Sequence, residues 1–165
     1  MAIGGYVEAH LGSEQVSHVI YGAIIGLALV VALESHPPRP GVMAGTLLGT
    51  AAAVGLADIY SEIVGSETRT RRRVDRAHLR VIAAGAGAVA FGVAFPAAFF
   101  VLAAAGAMTA DTAFDLAKWS GLGLTAFYGF AGARLVGDSV STSILHGLAV
   151  GLIGGLLIGL KALVH

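Results

Sequence analysis

From Val81 to Ala110 the sequence contains no Asp, Glu, Lys or Arg. An element of a water-soluble domain shows charge somewhere along one face, so a run this long is either sealed inside a large core or solvated by lipid. Composition decides between the two. Of 165 residues, 56% are hydrophobic and 12% charged, with a mean hydropathy of +0.83. A soluble domain carries about 25% charged residues. Half that supply cannot cover a globule, and the missing polar surface implies an apolar solvent.

A bilayer core is about 30 Å thick and takes about 20 helical residues to cross. Five segments meet that requirement, at about 16–34, 42–64, 79–106, 115–134 and 140–161. The first stops at Glu34 and is followed by the turn sequence His36-Pro37-Pro38-Arg39-Pro40-Gly41. The third is longer than one crossing needs, and Pro96 is expected to kink it or to leave its end at the interface. None of the runs alternates with a period of two, so barrel strands are not expected. The expected fold is an all-α, polytopic bundle of five transmembrane helices forming one domain over residues 1–165.

Several other classes lose their support. Net charge is +0, so no long-range field favours nucleic acid, and with Cys 0 there is no disulfide framework, thiolate metal site or cysteine nucleophile. The first fifteen residues hold Glu8 and Glu14 but no Lys or Arg, and a secretory signal needs a basic start, so no cleaved leader is expected. There is no Walker loop, Gly-x-Ser-x-Gly elbow or His-Glu-x-x-His motif, and an enzyme is not expected.

Orientation follows from the distribution of cations. The segment at 66–78 contains Arg69, Arg71, Arg72, Arg73 and Arg76, with Arg80 close behind. Basic residues concentrate on the cytoplasmic side. This places that loop and the N-terminus in the cytoplasm and the C-terminus outside. The arginines serve as a topology signal aided by anionic headgroups. The expected setting is the cell membrane of a bacterium.

Glycine also patterns the chain, with 24 in all. Gly147, Gly151, Gly155 and Gly159 recur at spacing four, as do Gly41, Gly45 and Gly49, and Gly22 pairs with Gly26. Glycines at that spacing form a flat stripe that lets helix backbones approach closely, within one subunit or across a dimer seam.

An ionisable side chain within a bilayer is costly and is a functional candidate by default. Asp58 and Glu62 are four apart and share one face of the second segment, beside Ser61. Two neighbouring carboxylates in an apolar setting favour retention of one proton, which suits proton exchange or oxygen ligation of a hard cation. The competing reading pairs them with Arg134 or Arg80. Glu14, His18 and Tyr21 form a stripe at the same membrane side, where His146 also lies. Imidazole with carboxylate suits Fe, Mn or Zn, or a proton relay. Candidate proton-binding residues are therefore Asp58, Glu62 and His146, and candidate metal ligands Asp58, Glu62 and His18. Lys118 and Asp115, three apart, are expected to pair at the opposite surface.

Three stretches resemble the vacuolar iron transporter family: Tyr21-Gly22-Ala23-Ile24-Ile25-Gly26-Leu27 with Ala32-Leu33, then Asp58 to Val64, then Phe127 to Arg134 onward. The resemblance implies a five-helix, dimeric scaffold that exports Fe or Mn in exchange for protons. Departures are specific. The family's metal-binding Asp in the first helix falls on Ile25, and its Met in the second falls on Asp58, while its Glu is kept as Glu62. Its Glu-rich cytoplasmic domain is replaced by the arginine loop, which repels divalent cations. Two functions remain open: a small transporter-like protein moving a divalent cation (Fe or Mn) against protons, or a non-transporting membrane scaffold that binds partner helices through glycine stripes.

Overall fold

The computed structural model describes residues 13 to 164; the acidic start and the side chain of Glu14 lie outside the described residues. Six helices appear among them: α1 Ser13–Leu33, α2 Pro40–Thr70, α3 Arg76–Ala94, α4 Ala97–Ala104, α5 Ala110–Leu135 and α6 Val140–Val164. Among the described residues there is no strand. Three helices are long and apolar enough to cross a membrane: Gln15–Leu33, Pro40–Thr70 and Arg76–Ala94.

Helix ends follow from local chemistry. α1 stops where the run of prolines begins, and Pro40 then opens α2 at a position whose N–H has no partner in any helix. Asp75 caps α3 by accepting from the His78 N–H at 2.7 Å, and Thr109 caps α5 by accepting from the Thr112 N–H. Gly106 and Gly137 take φ of +80° and +94°, ending α4 and α5 in turns closed by Ala107 N–H to Leu102 O and Asp138 N–H to Ala133 O.

Pro96 breaks the long uncharged run, as expected: α3 ends at Ala94 and α4 begins at Ala97. The arginine segment is less of a loop than the sequence suggests. α2 continues to Thr70 and α3 already begins at Arg76. The connecting turn is fastened by Ser66 Oγ against His78 Nε2 and by the Val74 N–H donating to Glu67.

α1 is the hub, packed against α3, α5 and α6, while α2 lies on α3 and α4. The α1–α3 contact is unusually close. A Cβ at Gly92 would lie 2.5 Å from Ala23 N and 2.6 Å from Val19 O, and one at Gly22 would collide with the Val89 carbonyl. Only glycine permits that approach, and it brings backbone dispersion contacts that lipid cannot replace. Gly147 and Gly151 play the same part against Ala126 of α5, whereas a Cβ at Gly155 or Gly159 meets nothing within 4 Å. The expected stripe on α6 is thus half packed and half open.

The contacts Gly132–Val16 and Gly121–Leu27 run α5 antiparallel to α1, and Gly55–Ala90 with Ser66–His78 run α2 antiparallel to α3, so the start of α1, packed at His18 on Gly85, shares one end of the bundle with the turns 71–75 and 136–139. Seven of the ten Lys and Arg residues (Arg69, Arg71, Arg72, Arg73, Arg76, Arg80 and Arg134) gather at that arginine end. Near the other end Val30, Met43, Leu47, Phe100 and Phe114 form a buried core, with the two phenyl rings 4.8 Å apart edge to face. The outer surface is also oily: Leu56, Leu145, Leu148 and Leu152 stand 60–68% exposed. Such a surface is stable in lipid and not in water.

Gly22→Ala is expected to destabilise the fold by about 2 kcal/mol or more through overpacking. Gly49→Ala, with open space at its Cβ, is expected to be neutral or slightly stabilising. Thermal unfolding of the two variants in detergent checks the contrast.

Candidate functional site: a carboxylate–imidazole pair between α1 and α2

Asp58 enters the site from α2 and His18 from α1. Their Oδ2 and Nε2 atoms lie 3.8 Å apart, with the side chains 24% and 33% exposed. The two helices barely touch each other directly; α3 lies between them, and Gly85 of α3 makes the room. A Cβ there would sit 3.2 Å from His18 Nε2. A small residue on a third helix thus lets an imidazole lean across toward a carboxylate. Neither Arg134 nor Arg80 takes the place opposite Asp58. Arg134 Nη1 instead donates to the Asp138 carbonyl, closing its own helix end.

The other candidates are placed elsewhere. Glu62, one turn beyond Asp58, pairs with Arg69 at 3.2 Å along α2, with both groups at least half exposed. An exposed pair of this kind contributes less than about 1 kcal/mol. His146 faces Asp138 at 3.7 Å and lies 3.1 Å from the Thr142 carbonyl. The structure therefore brings together Asp58 and His18, while Glu62 and His146 meet other partners. Among the described residues no group of three or more His, Cys, Asp or Glu side chains is arranged to hold a metal ion. One carboxylate and one imidazole make at most a partial ligand set, which suits a proton, or an ion in passage, better than a resident metal.

A second polar assembly lies at the opposite end. Lys118 of α5 meets Glu34, just past the end of α1, at 2.5 Å and its own helix neighbour Asp115 at 3.1 Å. The Asp115 pair was legible from spacing. The contact with Glu34 joins residues 84 apart and has no signature in the local spacing. Lys118 and Glu34 are 18% and 29% exposed, so this pair ties α1 to α5 where a lone charge would be poorly solvated. Buried polar side chains are satisfied: Thr125 and Ser143 donate to carbonyls one turn back, and no buried side-chain nitrogen or oxygen among the described residues lacks a partner.

Comparison with known proteins finds no matching family model, curated protein or solved structure.

Lys118→Met leaves Glu34 without its cation and is expected to cost about 2 kcal/mol. Asp115→Asn, at a side chain 66% exposed, is expected to cost less than half as much. Melting temperatures in one detergent give the ranking.

Proposed function

We propose that this protein is a small transporter-like integral membrane protein in which Asp58 and His18 form a proton-binding site. Five crossings account for the bundle: α1, α2, the pair α3–α4, α5 and α6. At 1.5 Å per residue, α5 and α6 are about 39 and 37 Å long, enough for a core about 30 Å thick. The arginine end faces the cytoplasm on this reading, consistent with the positive-inside bias, and a bacterial cell membrane is the setting.

The observation that carries the reading is the Asp58–His18 pair itself, a carboxylate and an imidazole from two spans, partly exposed at the arginine side. Ionisable groups at such depth are kept where protons or ions move. An imidazole facing a carboxylate is a pairing that can hand a proton on, with Asp58 as the counter-charge to His18. A divalent cation such as Fe or Mn is the proposed cargo. It would displace the proton at this pair and recruit Glu62, one turn along α2, once that carboxylate leaves Arg69. The resemblance to vacuolar iron transporters points the same way, and a homodimer is proposed on the same ground.

A second reading has its own observation. A Cβ at Gly45 or Gly49 of α2, or at Gly155 of α6, meets nothing within 4 Å, and open glycine faces suit partner helices. On that reading the protein is a membrane scaffold and moves no ion.

Proteoliposomes separate the two. With an imposed pH gradient, wild-type protein is expected to drive Mn uptake, Asp58→Asn to abolish it, and His18→Gln to reduce it at least tenfold. Glu62→Gln is expected to weaken cation dependence while leaving proton flux. Flux that is unchanged in Asp58→Asn removes the assignment, and absence of any flux from the wild type favours the scaffold.

A further inference from the structure

An open apolar groove of about 420 Å³ runs along the outer side of the α2–α3 contact, lined by residues that include Gly55, Leu56 and Ile59 of α2 and Ala83, Gly87 and Ala90 of α3. Its α3 wall continues toward the arginine end as a single helical stripe. Positions 76, 80, 83, 87 and 90 recur at spacings of four and three, so Arg76 and Arg80 lie on the face that lines the groove. Both arginines are exposed, and neither belongs to an ion pair among the described residues.

The carboxylates nearby have other partners. Glu62 holds Arg69, Glu67 accepts the Val74 N–H, and Asp75 accepts the His78 N–H. Two guanidiniums therefore stand at the mouth of an oily trough with no internal anion to meet them. Guanidinium geometry matches phosphate, with two parallel donors per contact, and the long stems can lie on apolar surface while the heads stay at the interface.

We infer that the α2–α3 groove is a binding site for one anionic phospholipid, whose acyl chain lies along Gly55, Ile59, Ala83 and Gly87 and whose headgroup phosphate is held by Arg76 and Arg80. The site rests on the membrane-spanning reading but not on transport. Charge selects this occupant over a second helix, which would fill the trough but leave both guanidiniums without an anion. It also selects an anionic over a zwitterionic lipid, because a choline headgroup brings its own cation to the same place.

The test uses the full chain in nanodiscs of equimolar phosphatidylglycerol and phosphatidylcholine, with the lipid that survives mild detergent extraction identified by native mass spectrometry. Wild-type protein should retain phosphatidylglycerol preferentially. Arg76→Gln and Arg80→Gln should each cut that preference about fivefold. Arg71→Gln with Arg73→Gln, which removes twice the charge of either single variant but from the turn, should leave it unchanged; a comparable loss there means diffuse attraction and overturns the site. Gly87→Leu, at a position where a Cβ meets nothing within 4 Å, should release the lipid with every arginine intact, and retention would overturn the groove as its seat. Efficient disulfide trapping of a dimer through Gly87→Cys would also overturn it, by showing that a second copy occupies the trough. Protein that stays dispersed and folded without detergent refutes the membrane reading itself, a result distinct from all of these.

Discussion

The bundle depends on how closely α1 and α3 approach. In lipid there is no hydrophobic drive to bring two oily helices together, since the tails outside are as apolar as the side chains inside. Association then rests on contacts that lipid cannot make. Gly22 and Gly92 supply these by letting one backbone lie against another, where any side chain would clash with Val89 or Ala23. With α1 fixed on α3, the remaining faces of α1 are free to receive α5 and α6. Besides the Asp58–His18 pair, the interhelical polar links sit toward the helix ends, at Lys118 with Glu34 and at Ser66 with His78.

This division of labour explains where chemistry can be placed. Glycine contacts hold the middle of the molecule without polar groups, so a charged pair there is not required for assembly. Asp58 and His18 are only partly buried. Lys118 and Glu34, by contrast, tie α1 to α5 at a contact of 2.5 Å.

Much of this was legible from residue order, for reasons that differ by element. Long, largely uncharged runs mark α1, α2 and α3 as helices able to cross a membrane, and Pro96 marks its own break because it lacks a donor. The end of α2 was less legible: Glu62, Glu67 and Arg69 interrupt the apolar run, yet the helix continues to Thr70, with Arg69 reaching back along it to Glu62 and Glu67 accepting the Val74 N–H of the turn that follows. The partner of Asp58 was not decidable. His18, Arg80 and Arg134 all lie toward the same membrane side, and the rotation of one helix against another is absent from periodicity. Nor does a glycine stripe declare whether it faces inward. Gly151 and Gly155 look alike in the sequence, but only the first packs closely on another helix.

The indirect seating of α1 against α2 has a mechanical corollary. Each helix is positioned by α3, so the distance from imidazole to carboxylate is not set by any contact between the two that carry them. A small roll of α2 on its bed of alanines would open or shorten that gap while the α1–α3 clasp stayed shut. The spacing of the pair is thus a strain gauge for how α2 seats on α3, and so for whatever leans on the far flank of α2.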